Sequence, residues 1–295
     1  MAREHIGVMA AVLSSALGGI AGGTTRFVID ATDPVTLGVF RFGVGFIILL
    51  PVALLLKCRW PKGRDWIAVC ALGILFFFAF SVLFNLAYSY TTAARGALAL
   101  STMPLMTMVV GAGLGVERLT VRKFAGVLIA MAGVAVALIF DLSSAPAGAW
   151  RGELIMISAT VCMSLYNVWS RPFIVRSDPL AFLTAGMGAA AACLLIWALL
   201  IGGFHVVRDF AMPQWIAVTY LGVLGSAVTF FLWVFALRNT SPTKTAVSIT
   251  VNPIFASIVG ALAVGEPIGI NLIVGLAAVC AGITIATTGV PAQSQ

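Results

Sequence analysis

Ten runs of apolar residues follow one another along the chain, at roughly 6–27, 35–56, 66–88, 94–115, 122–140, 152–170, 180–203, 214–237, 244–265 and 270–289. A helix needs ~20 mostly apolar residues to cross the hydrocarbon of a bilayer. Backbone in lipid must also satisfy its own hydrogen bonds, so each run is expected to be a transmembrane helix. Composition closes the soluble alternative, because only 9% of the residues are charged against ~25% in a soluble domain. The first run follows Arg3 and ends in small residues, as a signal peptide does. Its length and a later counterpart in the chain favour a span.

The runs fall into two sets of five. Trp66-Ile67-Ala68-Val69 recurs as Trp215-Ile216-Ala217-Val218, 149 residues later. At that spacing Leu72-Gly73 matches Leu221-Gly222, Pro104 matches Pro253, Gly111 matches Gly260, Glu117 matches Glu266, Gly126 matches Gly275 and Gly133 matches Gly282. Upstream the spacing is 145, pairing Gly7 with Gly152, Arg26 with Arg171 and Asp33-Pro34 with Asp178-Pro179. The expected division is a first repeat over 1–145 and a second over 146–295. Five spans are an odd number, so the second repeat enters the membrane from the opposite side. The fold class expected is an all-α membrane protein of ten transmembrane helices in two inverted five-helix repeats. Secondary transporters built this way hold their substrate near the midplane between the repeats.

The formal charge of +7 reads as topology and not as a nucleic-acid footprint. With the N-terminus inside, the inner side carries twelve cations: Arg3, the four between Lys57 and Arg64, Arg118, Arg122, Lys123, Arg171, Arg176, Arg238 and Lys244. The outer side carries four: Arg26, Arg95, Arg151 and Arg208. The positive-inside rule then puts both termini in the cytoplasm. Trp60, Trp66, Trp150 and Trp215 fall at span ends, where aromatic rings anchor at the interface. Cys58, Cys70, Cys162, Cys193 and Cys280 form no CxxC pair and no zinc spacing, so neither a disulfide framework nor a metal site is expected.

Each half resembles the EamA unit of the drug/metabolite transporter superfamily. The resemblance rests on Phe40-Arg41-Phe42 in span two and on GVERLTVRKFAGVLIAMAGV, from Gly115 to Val134, repeated as VGEPIGINLIVGLAAVCAGI from Val264 to Ile283. A Glu ends the fourth span, a short turn follows, and the fifth span carries glycines seven residues apart. The resemblance implies ten helices that move small metabolites out of the cytoplasm, and the branch most similar is the YddG-type amino-acid exporters. Arg41 has no twin in the second half, where Thr184-Ala185-Gly186 occupies its place.

Catalysis has no visible machinery. His5 and His205 sit at membrane edges, and the ten acids lie at or near span ends. No general acid–base pair, metal cluster or phosphate-binding GxxxxGK[ST] loop is present, so neither an enzyme, a cofactor nor ATP hydrolysis is expected. A proton-driven carrier tends to place a titratable group within a span. None is found here, which favours passive or exchange transport. Glu117 and Glu266 come nearest, ending spans four and nine, and both read as helix-end structural residues.

Residues at i, i+3, i+4 and i+7 share a helix face, and amides or hydroxyls on such a face avoid lipid. The expected substrate-binding set follows: Ser81, Asn85 and Tyr88 in span three; Ser101 and Thr102 before Pro104 in span four; Thr160, Ser164, Asn167 and Trp169 in span six; Thr229 and Trp233 in span eight; Ser248 and Asn252 before Pro253 in span nine. The same faces also suit plain interhelical hydrogen bonding. Pro104 and Pro253 interrupt helices at matching points, the strongest sequence pointer to a transporter site. Gly18, Gly19, Gly22 and Gly23 in span one suit close helix packing. Arg41 lies fifteen residues from the basic loop, or about 22 Å along a helix. Its expected role is a gate or structural anchor, with the side chain snorkelling outward toward Asp30 or Asp33; a carboxylate clamp is the other reading.

The function expected is an inner-membrane exporter of amino acids or related metabolites, working by alternating access as a monomer in the bilayer, on a small-molecule substrate and with no nucleic-acid partner. An exporter of drugs or hydrophobic metabolites is the alternative. A non-transporting scaffold or receptor is the alternative of another class, and it would have no use for central polar stripes.

Overall fold

The computed structural model describes residues 2–116 and 147–270, with 121, 124–126, 128, 129, 132, 133, 273, 274, 277, 278 and 281. Every regular element among the described residues is helical. Eight long helices carry this part of the chain: α1 (Ala2–Ile29), α2 (Pro34–Leu55), α3 (Asp65–Tyr88), α4 (Ala93–Gly113), α5 (Ala149–Arg176), α6 (Pro179–Leu200), α7 (Met212–Asn239) and α8 (Thr245–Val264). Seven are long and apolar enough to cross a membrane. The eighth, α5, has 28 residues but is more polar, because Glu153, Thr160, Ser164, Asn167 and Ser170 are all buried on its inner faces. These eight coincide with expected spans one to four and six to nine. Spans five and ten fall largely outside the described residues.

Local chemistry sets the helix starts. Asp33 Oδ1 accepts from the N–H groups of Val35 and Thr36, and Pro34 opens α2. This is a capped N-terminus with proline where its missing donor costs nothing. The matching Asp178-Pro179 opens α6, but there the Asp178 carboxylate accepts from Arg59 N at 2.8 Å instead. The repeated sequence has kept the helix start and changed the partner.

Neither repeat runs straight. α3 winds into wider π turns over Ile74–Phe80, and α7 does the same over Val223–Val228, at positions 149 apart. Further π turns occur at Val39–Gly43 and Gly260–Val264. Such turns insert a residue into the hydrogen-bond ladder and cluster at functional sites. α4 breaks at Ser101–Thr102 and restarts at Met103 with Pro104 second. α8 tightens into a 3₁₀ turn over Ser248–Val251 and restarts at Asn252 with Pro253 second. Hydroxyls bond back to carbonyls at both breaks: Ser101 to Ala97 O, and Thr250 to Val247 O.

Glycines let the helices cross closely. A Cβ on Gly73 of α3 would run into the Gly186 backbone of α6, and one on Gly222 of α7 would meet Val44 and the Phe40 carbonyl of α2. Gly73 and Gly222 are repeat equivalents, so the α3–α6 and α7–α2 crossings correspond. Gly19 and Gly23 of α1 lie against α8, as small-residue packing requires. The centre of the bundle is aromatic: Phe76 stacks on Tyr166 at 4.4 Å, and Phe42, Phe77 and Phe230 pack around them.

The ion pairs among the described residues sit at the two ends. Asp178 pairs with Arg59 and Arg238, and Arg176 with Asp65. At the other end Arg26 pairs with Asp30 and Glu266, and Arg95 with Glu153. These ion pairs keep to the two groups of loops that the alternating charge pattern separates.

Candidate functional site

A narrow chamber lies where α1, α2, α3, α5, α7 and α8 meet. Its walls are Ser14, Ser15 and Gly18 of α1, Arg41, Phe80 and Phe84, Met163, Thr229, Phe230 and Trp233, and Ile249 and Asn252, with Leu100 of α4 beside the helix break. Its volume is about 30 Å³, room for a water-sized guest. Sites for small organic ligands measure roughly 300 Å³ or more, so the bundle must open before a metabolite can enter.

Among the described residues Arg41 is the only charged one in this wall. It is 2% exposed. Phe84, Phe42 and Phe230 surround the guanidinium, with ring centroids at 5.0, 5.4 and 5.9 Å. The expected outward snorkel is corrected here. Asp30 is held by Arg26 at 2.8 Å and Asp33 is spent capping α2. The π turns at Val39–Gly43 carry Arg41 on a widened stretch of α2 among the aromatic side chains.

Four of the residues singled out from sequence line the chamber: Arg41, Thr229, Trp233 and Asn252. Trp233 donates from Nε1 to Asn167 Oδ1 at 2.9 Å. Asn167 also faces the Met103 sulfur. Ser164 accepts from Thr107 and reaches the Met103 carbonyl, so this network ties α5 and α7 to the restarted half of α4. Asn167 and Ser164 therefore stand one layer behind the wall. Thr160 bonds within its own helix, to Ile157 O. Ser101 and Thr102 are consumed at the α4 break, Thr102 through Ala99 O. Ser248 bonds to Ser15 and to the Ala11 and Thr245 carbonyls.

Two placements differ from the sequence expectation. Ser81, Asn85 and Tyr88 are fully buried, yet none of them lines the chamber. Asn85 donates to Pro34 O, and Tyr88 lies against Gly22 of α1 and Gly96 of α4. It is Phe80 and Phe84 of α3 that face the chamber. Trp169 is 43% exposed on the outside of the bundle. It sits two residues beyond Asn167, a rotation of about 200° around an α-helix, which puts it on the opposite face. Sequence reasoning passed over Ser14, Ser15, Gly18, Met163 and Ile249 as wall residues. Gly18 belonged to a glycine stripe read only as helix packing.

Pro104 and Pro253 do not sit in mid-helix. Each starts a fresh helix, where its missing N–H is no loss. Glu266 ends α8 and joins three elements: Ala93 N donates to its Oε2 at 2.8 Å, and Arg26 Nε lies 3.3 Å from its Oε1. Burial pushes the Glu266 carboxyl above its ordinary range, against the downward pull of the Ala93 N–H and Arg26. Its repeat equivalent, Glu117, lies outside the described residues. A second, more open cavity of about 450 Å³ lies among Phe46, Leu50, Trp60, Trp66, Cys70, Ala185, Gly188 and Ala189. Its largely apolar lining suits lipid tails better than polar metabolites. Among the described residues no group of His, Cys, Asp and Glu could hold a metal ion.

Three comparisons bear on this architecture. The EamA-like transporter family matches the chain twice, over residues 5–139 and 150–288. An uncharacterized transporter, YyaM of Bacillus subtilis, is 22% identical over 96% of this chain and 94% of its own length. A probable terminal-alkyne amino-acid exporter of Streptantibioticus cattleyicolor is 26% identical, covering 82% of this chain and 80% of that protein. A solved structure, described only as the crystal structure of a protein, superposes with a TM-score of 0.69 at 22% identity, over 97% of this chain and 98% of the other. At that identity the likeness speaks for the fold alone.

Proposed function

This chain belongs to the EamA-like transporter family of the drug/metabolite transporter superfamily, and from that premise we propose that it exports amino acids or related small metabolites by alternating access. Membership makes it a multi-pass membrane transporter and not an enzyme. The finer reading rests on one observation: a narrow chamber with polar and aromatic walls lies among helices that are broken or π-wound. A chamber of about 30 Å³ is too narrow for a metabolite, which suits a contracted state that widens to admit cargo. The paired π turns, paired breaks and paired glycine crossings support two inverted five-helix repeats, 1–145 and 146–295, rocking about that chamber. The distribution of Lys and Arg supports cytoplasmic termini in a bacterial-type inner membrane.

Amino acids are favoured as cargo because Arg41 and Asn252 give the wall a cationic donor and an amide. The relative named as a probable amino-acid exporter points the same way. Export of hydrophobic drugs is the second reading, favoured by Phe80, Phe84, Phe230 and Trp233. A buried arginine without an acid partner weighs against organic cations as cargo. The test is reconstitution into liposomes with a panel of radiolabelled amino acids. Saturable, concentration-driven flux of at least one is expected. Flux of hydrophobic drugs with no amino-acid flux would favour the second reading, and absence of both would overturn transport of this kind.

A further inference from the structure

The chamber wall leaves specific hydrogen-bonding capacity unused. Arg41 Nε and Nη1 are buried with no hydrogen-bond partner, and so is Asn252 Oδ1. The other polar groups of the wall are occupied: Ser14 on Thr229 O, Ser15 on Ser248, Thr229 on Leu224 O, and Trp233 on Asn167. What remains open is a cationic donor on α2 and an amide on α8.

An uncompensated charge buried in this way is costly. The three phenyl rings offset part of that through their π faces. Rings lie against the face or edge of a guanidinium and do not accept its in-plane N–H bonds. The Nε and Nη1 donors of Arg41 therefore stay available to an anionic acceptor such as a carboxylate, with which a guanidinium makes its strongest hydrogen bonds. Asn252 completes the pattern. Its amide oxygen is an acceptor for an ammonium or hydroxyl group.

Building on the transport reading above, we infer that Arg41 holds the carboxylate and Asn252 the ammonium of a zwitterionic amino acid bound in the chamber. Phe84, Phe230 and Trp233 pack on the cargo's side chain. Arg41 is then a binding residue present in one repeat only, since Gly186 stands at its equivalent and serves the α3–α6 crossing. The asymmetry gives the cargo one orientation: the carboxylate points to α2 and the ammonium to α8.

The experiment uses the purified full-length chain in nanodiscs, with equilibrium binding of radiolabelled phenylalanine. Competitors are 3-phenylpropionate, which keeps only the carboxylate, and phenethylamine, which keeps only the ammonium. Phenylalanine is expected to bind best, phenylpropionate about tenfold more weakly, and phenethylamine hardly at all. Arg41→Gln should cost at least tenfold for both carboxylates, the low end of what a hydrogen bond to a charged group supplies. Arg41→Lys should recover part of that. Asn252→Leu should bring phenylalanine down to the level of phenylpropionate while leaving phenylpropionate unchanged. Binding of phenethylamine equal to that of phenylalanine, unchanged carboxylate affinity in Arg41→Gln, or no saturable binding of either carboxylate would each overturn the inference. Liposome flux separates the two levels. Flux that persists without carboxylate preference defeats the Arg41 assignment and spares transport, whereas no flux of any amino acid or drug in the panel defeats transport itself.

Discussion

Arg95–Glu153 and Arg176–Asp65 are both arginine–carboxylate pairs at the ends of the bundle. In the first, Glu153 Oε1 takes both Nε and Nη2 of Arg95, at 2.7 and 2.6 Å, with side chains 6% and 11% exposed. In the second, the side chains are 55% and 27% exposed. Removing one member of a buried pair leaves the other charge poorly compensated, at a cost of about 3 kcal/mol or more. An exposed pair contributes about 0–1 kcal/mol. Glu153→Gln should therefore lower the thermal midpoint in detergent by several degrees, while Asp65→Asn should leave it nearly unchanged. Equal shifts would show that burial does not set the strength of these pairs. Arg41 marks the limit of legibility at this scale. Its depth along α2 follows from counting residues, but its neighbours do not. Counting cannot reveal that Asp30 and Asp33 are already engaged, or that three phenyl rings from α2, α3 and α7 converge there.

Helix starts, breaks and crossings follow from a few residue types. Asp-Pro opens α2 and α6, and glycines at matched positions mark the crossings. Gly73 is the sharpest case, because a Cβ there meets the backbone of Gly186, which cannot rotate away. Gly73→Ala should destabilise the protein by about 1–3 kcal/mol, the cost of overpacking a close contact, even though alanine is the better helix former. Gly113 has nothing within 4 Å of the added carbon, so Gly113→Ala should be neutral or stabilising by up to ~1 kcal/mol. Thermal midpoints of the two variants check this; a harmless Gly73→Ala would show that the crossing has slack. Periodicity made the polar stripes legible, because residues that share a face share it in any environment. It could not say what the face meets. Asn85 finds the Pro34 carbonyl, Thr160 bonds to its own helix, and only the α7 and α8 stripes reach the chamber. The π turns left no signal read from sequence, and they shift which residues of α2, α3 and α7 look inward.

At the scale of the whole molecule, the question is what drives transport. Among the described residues Arg41 is the one charged group in the chamber wall, and the wall contains no acid or histidine. A carrier coupled to an ion needs a group that changes charge during the cycle, since moving one charge across 100 mV is worth about 2.3 kcal/mol. Glu266 has the nearest suitable chemistry: burial raises its pKa, with Arg26 and the Ala93 N–H opposing and Asp30 reinforcing the shift. A raised value means that the fold favours the proton-bound form more than the unfolded chain does. That stability is fully present below the ordinary Glu range and is lost as pH rises through the shifted value. Glu266, however, lies outside the chamber wall, where it meets Arg26 of α1 and the Ala93 N–H of α4 just past the end of α8, so it does not meet cargo in the chamber. Transport is therefore expected to be passive or by exchange. In proteoliposomes loaded with labelled amino acid, an imposed pH gradient should change the rate at most modestly and the final distribution not at all. Glu266→Gln, which keeps an acceptor for Ala93 N–H, should reach the same end point, and the pH dependence of its thermal midpoint should be flatter than that of the wild type. Accumulation above equilibrium that requires the gradient, and disappears in Glu266→Gln or Glu117→Gln, would make that carboxylate the coupling site and overturn the passive reading.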